Sequence, residues 1–391
     1  MSIKISNRLA GLTGYAFAEV DNEVAKLKKI GIVPIDFGVG DPKEPTPEIV
    51  RNEIKKAVDK RKSSGYPSYI GTDEYRQEIS KWYKKRFGVS LDYQKEITST
   101  IGAKEAVFNF PEAFLNPGDY AIMPNPGYPP YERGTMFAEG IPYFVPLLKE
   151  NDFLMDLSNI PKEIVKKAKI LWINYPNNPT GAIANKEFFK EVIDFGQDND
   201  IIVASDECYT EIYFGEKPHS ILEFSKEGVV AFQSLSKRSA MTGYRIGWVA
   251  GDGNIISAFK KLKTNIDSGT PAFIQDAAVA ALKDEKHVEK MRKDYKQKRD
   301  ILIKALMSAG LEDCTPGATL YVWQKTPNNM NSVDFAKRLL HKDIAVVVTP
   351  GAWISATANG INPGNNYVRF ALVPSLNETK KAAERIRRHL R

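Results

Sequence analysis

Only two cysteines, Cys208 and Cys314, occur among the 391 residues, far apart and outside any CxxC spacing. That argues against a disulfide framework and fits reduced, unpaired thiols in a reducing compartment. The histidines are as sparse: His219, His287, His341 and His389 are scattered, so a zinc site has no support and no metal is expected. No apolar run approaches the roughly 18 residues of a membrane helix. The opening MSIKISNRLAGLTGY lacks the apolar stretch of about 7–15 residues that marks a signal peptide, so a cytoplasmic protein away from membranes is expected. Three nucleotide and hydrolase signatures are missing as well. There is no GxxxxGK[ST], no third glycine after Gly38-Val-Gly40, and no GxSxG. Those absences set aside the P-loop, the dinucleotide fingerprint and the serine-hydrolase elbow.

What is present has the profile of a soluble globular chain, 42% hydrophobic and 26% charged. The length suits two or three domains, or one large α/β domain with a smaller companion, and a core of that size needs no disulfide or metal. The net charge of +7 is modest. Basic and acidic residues interleave in EIKKAVDKRK and KDEKHVEKMRKDYKQKRD, the pattern of solvated helix faces rather than of a nucleic-acid footprint. No nucleic-acid partner is expected, although a basic pocket for an anion is compatible with this balance.

No internal repeat or low-complexity stretch stands out. From about residue 46 to 290, helical patterns (TPEIVRNEIKKAVDKR, TDEYRQEISKWYKKRFG, NKEFFKEVIDFGQDN) alternate with short apolar runs (YAIMP, ILWINY, IIVASDE, VVAFQSLS, RIGWVAG). This alternation predicts an α/β fold, a mostly parallel doubly wound sheet with helices on both faces. Polar residues just after those runs deserve the first look, because sites in such sheets lie beyond the strands' carboxyl ends. From residue 291 onward a long charged helix leads into TLYVWQK, AVVVTP and NYVRFALV and a last helix, the pattern of a smaller α+β domain. Residues 1–45, through the turn GVGDPKEPTP, are expected to join it.

Four stretches carry chemistry. In Ser234-Leu-Ser-Lys237, a lysine follows a strand-like run, with Arg245 eight residues on. An amine there can form a Schiff base with an aldehyde cofactor, and Ser234 and Arg245 can bind its phosphate. Asp206, in SDECY at a strand end, can hold a metal, a ribose or a pyridinium nitrogen, with Tyr209 close by to bond a ring oxygen. The turn NYPNNPTG, residues 174–181, can aim the Asn178 amide at an oxyanion. Gly102-Ala103-Lys104 opens a helix whose free N–H groups and positive dipole end suit a phosphate. Each stretch alone also reads as something plain: a loop lysine, a strand-end acid, a turn, a cap.

Together, in this order and spacing and with YVRF near the carboxyl end, the motifs make the chain resemble the fold-type I (class I/II) aminotransferases over nearly its whole length. The resemblance implies pyridoxal 5′-phosphate as cofactor, a large domain (46–290) that binds it, and a homodimer with shared active sites. It implies that Lys237 holds the cofactor covalently and moves the reaction's proton. Asp206 pairs with the ring nitrogen, Tyr209 and Asn178 hold the ring oxygen, and Tyr128 stacks on the ring. Ala103 and Lys104 give backbone contacts to the phosphate alongside Ser234, Ser236 and Arg245, and Tyr66 reaches the phosphate of the neighbouring subunit. Arg369 clamps the substrate α-carboxylate, and the Gly40 backbone lines the substrate.

A closer resemblance is to the LL-diaminopimelate aminotransferases, carried by Gly14-Tyr15-Ala-Phe-Ala-Glu, by DFGVGDP and by Gly102-Ala-Lys104. It implies that Tyr15, Lys104 and Tyr128 read the far end of a diaminopimelate-type donor that passes its amino group to 2-oxoglutarate in lysine biosynthesis. Asn178 also belongs to the substrate side. Two positions depart from that family. Tyr69 stands where a glutamate is usual, and Ser268 where an asparagine precedes the glycine. Both help to read the distal group, so N-succinyl-diaminopimelate and broad, alanine or aromatic donors stay open, as does another reaction on this fold such as a β-lyase or decarboxylase. No arginine occurs in SGTPAFIQ, against strict aspartate specificity. A DNA-binding regulator of this fold is not expected either, because the matching segment begins by about residue 15.

Overall fold

The structure, a computed structural model, describes residues 3–12, 18–358 and 360–390. Strand β1 (Ile35–Asp36) comes first in the chain. The next seven are β2 (Ile97–Thr100), β3 (Tyr120–Asn125), β4 (Ile141–Pro146), β5 (Ala168–Asn174), β6 (Ile202–Asp206), β7 (Val229–Ser234) and β8 (Gly247–Gly251). They form one sheet in the spatial order β2-β8-β7-β6-β5-β3-β4. Strands β3 to β7 pair in parallel, and β8 runs antiparallel to both β7 and β2.

The apolar runs of this sheet are apolar throughout because both faces are covered. In β5, Leu171 and Ile173 join one core with Tyr75, Trp82, Phe188 and Val192 from flanking helices. Ile170 and Trp172 point the other way, into a core with Val107, Phe232, Ile256 and Phe259. The period of two along the strand thus sorts the residues between two helical layers. Those layers use ordinary stop and start signals. Helix Asp73–Phe87 opens on Thr72, whose side chain accepts from the Tyr75 amide, and closes on the left-handed Gly88 (φ 74°).

Two strands escape the apolar-run signal. β2 reads ITST, yet Thr98, Ser99 and Thr100 are all buried. β4 carries Pro142 and Pro146, and it survives as a strand because it lies at the sheet edge, where a missing N–H costs no ladder bond.

A separate core gathers Tyr295, Leu302 and Leu306 of helix Lys286–Ser308, Ala382 and Ile386 of helix Leu376–His389, and Ile35 and Phe37. Around it lie β9 (Tyr321–Lys325), β10 (Val346–Val347), β11 (Thr349–Pro350) and β12 (Tyr367–Ala371). β1 pairs in parallel with β10, so the amino-terminal segment joins the carboxyl-terminal one. β11, β12 and β9 form an antiparallel sheet. The run AVVVTP, expected as one strand, divides between these two small sheets. Among the described residues no helix is long and apolar enough to cross a membrane, and no cluster of His, Cys, Asp and Glu could hold a metal.

Candidate active site

From β3 the chain steps outward to β4, then returns past β3 to lay down β5, β6 and β7 on the other side. That reversal opens a crevice beyond the carboxyl ends of the strands. A cavity of about 430 Å³ lies there, and the loops leaving β3, β5, β6 and β7 all line it, with Tyr128, Asn178, Asp206, Cys208 and Lys237 among the lining residues.

Strand β7 ends at Ser234, whose hydroxyl accepts the Ser236 amide at 3.1 Å and starts the short helix Leu235–Arg238. Lys237 rides on that turn. Its Nζ donates to the Gly40 carbonyl, on the strap that follows β1. Gly40 has to be bare at this point: a Cβ would sit 2.7 Å from the Tyr321 ring carbon that bears the hydroxyl.

Asp206 closes β6 on the cavity floor. Its Oδ2 accepts the Tyr131 hydroxyl at 2.7 Å and its Oδ1 the Cys208 amide at 3.1 Å. Burial pushes its carboxyl up, against the pull of these bonds. A buried carboxylate of this kind is relieved by a cationic or N–H partner. Behind it, the Asn174 amide donates to the Asp206 carbonyl at 2.8 Å, and Asn174 Oδ1 accepts the Asn178 N–H at 2.9 Å. The two strand-end motifs therefore hold each other in place.

At one end, Ala103, Ser234, Ser236, Thr242 and Arg245 converge. Helix Gly102–Asn109 begins with Gly102 at φ +71°, and a Cβ there would lie 2.9 Å from the Arg245 guanidinium carbon. Arg245 itself is left-handed (φ 52°), a conformation that costs a non-glycine residue about 1–3 kcal/mol. Its Nη1 donates to the Thr242 carbonyl at 2.7 Å. Backbone N–H groups, hydroxyls and a guanidinium around one point make an anion cup.

At the other end stands Arg369, on β12 opposite Thr349 of β11. Nη1 donates to Asn178 Oδ1 at 3.1 Å and Nη2 to the Gly38 carbonyl at 3.0 Å, and the guanidinium lies 4.6 Å over the Tyr321 ring. Its buried Nε has no partner. The Tyr209 and Tyr321 hydroxyls are 3.2 Å apart, and burial raises the Tyr209 phenol well above its ordinary value. Tyr128 meets Tyr131 edge to face at 5.8 Å, and Tyr131 stacks on Trp172 at 5.0 Å.

The cavity thus brings together Gly40, Ala103, Lys104, Tyr128, Asn178, Asp206, Tyr209, Ser234, Ser236, Lys237, Arg245 and Arg369. The Lys104 side chain is exposed and makes no hydrogen bond or ion pair among the described residues. Tyr66 is elsewhere, 91% exposed and off the cavity wall. Tyr15 lies outside the described residues. Sequence reasoning missed Asn174, Tyr131 and Tyr321. Asn174 stood inside the turn NYPNNPTG and Tyr131 three residues after Tyr128, in NPGYPPY, and a count of donors for Asp206 would have raised them. Tyr321 carried no local signal.

An amine and a buried acid line one cavity, with an anion cup at one end and a guanidinium at the other. This donor set fits a flat ring that carries an aldehyde, a basic nitrogen and a phosphate, with room left for a carboxylate beside Arg369.

Comparison with known proteins agrees. The family described as "Aminotransferase class I and II" matches residues 32–386. The LL-diaminopimelate aminotransferase of Aquifex aeolicus (strain VF5) is 43% identical over 389 residues, 98% of each chain. That of Halothermothrix orenii is 43% identical over 387 residues, 98% of this chain and 97% of the other. An aminotransferase structure from Neisseria meningitidis Z2491 superposes with a TM-score of 0.91 at 32% identity, covering 99% of this chain and 100% of that one.

Proposed function

The chain belongs to the class I and II aminotransferases, and on that footing we propose that it binds pyridoxal 5′-phosphate at Lys237 and transfers an amino group from an LL-diaminopimelate-type donor to 2-oxoglutarate in lysine biosynthesis. The observation that carries the substrate is the 43% identity, over 98% of the chain, to proteins named for that donor. The cofactor reading rests on the cavity, where the Asp206 carboxyl, the Lys237 amine and the Arg245 cup suit its nitrogen, aldehyde and phosphate.

Bound there, the cofactor supplies an electrophilic carbon and a ring that takes up an electron pair. The protein's part is positional and protolytic. Arg369, on the cavity wall, would receive the donor's α-carboxylate through its guanidinium. Nζ of Lys237 would take the proton from the donor's α-carbon. Asp206, kept in place by Tyr131 and Cys208, would hold the ring nitrogen in its protonated form. Tyr209 and Asn178 would bond the ring oxygen. On the same reading residues 46–290 serve the cofactor, and 1–45 with 291–391 form the smaller unit that brings Arg369.

A second donor, N-succinyl-diaminopimelate, is favoured by one observation: Tyr69 and Ser268 stand where the relatives' readers of a free distal amine would be. A donor screen with purified enzyme and 2-oxoglutarate decides. LL-diaminopimelate should be preferred; preference for the succinyl form selects the second reading, and more than about tenfold preference for alanine or an aromatic donor over both overturns the substrate assignment.

The enzyme is further proposed to work as a cytoplasmic homodimer in which each Tyr66 serves the other subunit's phosphate; the exposure of Tyr66 supports this. Mixing Tyr66→Ala with Lys237→Ala chains should restore activity through one intact hybrid site. A fully active monomer at sedimentation equilibrium would count against it.

A further inference from the structure

Lys263 ends helix Gly253–Lys263, in the run FKKLK, and reads as one more surface lysine. It is only 1% exposed. Its ammonium donates to Asp267 Oδ2 at 2.6 Å and lies 3.4 Å from Glu105 Oε2. Burying a charge this deeply is costly unless it is paired, and an apolar side chain of the same volume could pack as well. What such a side chain could not do is hold two carboxylates at once.

Both carboxylates act on backbone around the anion cup. Glu105 Oε2 accepts the Ile101 N–H at 3.0 Å, one residue before Gly102, and Oε1 accepts from the Asn109 amide at 3.1 Å. The first turn of the helix that presents Ala103 and Lys104 is therefore tied from its own interior. Asp267 Oδ1 accepts the Gly269 N–H at 2.6 Å and fixes the loop that leads to Thr270. The Thr270 hydroxyl lies 3.2 Å from the Thr100 carbonyl and 3.3 Å from the Arg245 carbonyl. One buried ammonium is thus linked, through two carboxylates, to the backbone on both walls of the cup. It is also linked to the left-handed Arg245, whose conformation needs such support.

We propose that Lys263 is a positioning residue for the cofactor phosphate: it sets the spacing between the Ile101–Lys104 helix start and Arg245 without touching the ligand. The proposal rests on the cofactor reading above. It separates two kinds of effect. A lysine that merely stabilises the fold would, when lost, weaken every ligand of the cavity alike. A lysine that spaces the cup would, when lost, weaken only ligands that carry a phosphate.

The test compares binding of pyridoxal 5′-phosphate and of pyridoxal, which lacks the phosphate, to apo-protein, by fluorescence titration. The wild type should strongly prefer the phosphorylated form. In Lys263→Met that preference should fall by about 10- to 100-fold, the range seen when a group that orients a metal-binding shell is removed. Affinity for pyridoxal should change by less than about threefold, and Lys263→Arg should restore part of the preference. If Lys263→Met does not fold, Thr270→Val breaks the same link at the surface of the cup and should also lower the preference. An unchanged preference in a folded variant overturns the role of Lys263. Failure of the wild type to bind the phosphorylated form overturns the cofactor reading instead.

Discussion

At the Arg245 end of the cavity every group comes from the seven-stranded sheet: Ala103 from the helix after β2, Ser234 and Ser236 from the end of β7, Thr242 and Arg245 from the turn into β8. At the Arg369 end the groups come from elsewhere. Arg369 and Tyr321 sit on the small antiparallel sheet, and Gly38 and Gly40 on the strap after β1. Asn178 and Lys237 bridge the two, through the Arg369 and Gly40 bonds. The two cores of the large sheet therefore frame the Arg245 end, and a third core carries Arg369; on the proposed function these are the cofactor end and the substrate end. The consequence is that cofactor affinity and donor recognition should respond to different mutations.

The largest expected effect falls on the bridge. Lys237→Ala should lower the rate of the half-reaction by about 10³-fold or more, the scale of losing both nucleophile and proton carrier, while the cup still retains cofactor. Borohydride reduction and peptide mapping of the wild type should find the cofactor on Lys237; a different lysine would overturn the assignment.

Next comes the Arg369 end. Arg369→Gln should cost about 1.5–3 kcal/mol, or roughly 10- to 150-fold in kcat/KM, for every amino donor. Cofactor affinity should hold. If it falls by the same factor, the two ends are not separable.

Lys104 sharpens the comparison, since it lines the cavity beside Ala103 with an exposed side chain, and the resemblance implies that it reads the donor's distal group. Lys104→Met should lower kcat/KM for a diaminopimelate-type donor by up to roughly 100-fold and leave alanine within about threefold. Equal loss for both donors would place its ammonium on the cofactor.

The last test touches neither end of the cavity and concerns stability, through the frame itself. Glu207, beside Asp206 but sealed away from the cavity, accepts from Ser205, from the Ile221 amide and from Gln233. Burial raises its carboxyl from 4.5 to about 7. The folded state thus favours the protonated acid. That contribution is complete below the unfolded value and is lost as pH rises through the folded one. Urea unfolding of the wild type should therefore show up to about 3 kcal/mol less stability from this group at pH 7.5 than at pH 4.5. Glu207→Gln should remove most of that slope, with the Arg369 end unaffected.

Much of the cavity lining contributed by the large sheet was legible in the sequence because its motifs are local. SLSK, SDECY and NYPNNPTG each run from a strand into the turn that follows it. A parallel sheet brings all such strand ends to one edge whatever the loops between them. The class of fold was legible for the same reason: buried parallel strands are apolar on both faces and need amphipathic helices beside them. β2 was not, because ITST carries no apolar signal and is a strand only through its pairing with β8.

The rest was decided by contacts between segments far apart in the chain. Tyr321 enters the site because β9 lies beside β12, and it is the Tyr321 ring that requires Gly40 to be bare. Asp206 receives its partner from Tyr131, 75 residues away. Lys260 and Lys263 look alike in FKKLK. Lys260 reaches out to the Gln94 carbonyl, whereas Lys263, three residues on along the same helix, is closed in between Glu105 and Asp267. Sequence alone determined which residues could do chemistry and in what order. Only the tertiary structure decided which charges leave water, because burial depends on which faces meet, and that is a property of the packed chain rather than of any segment of it.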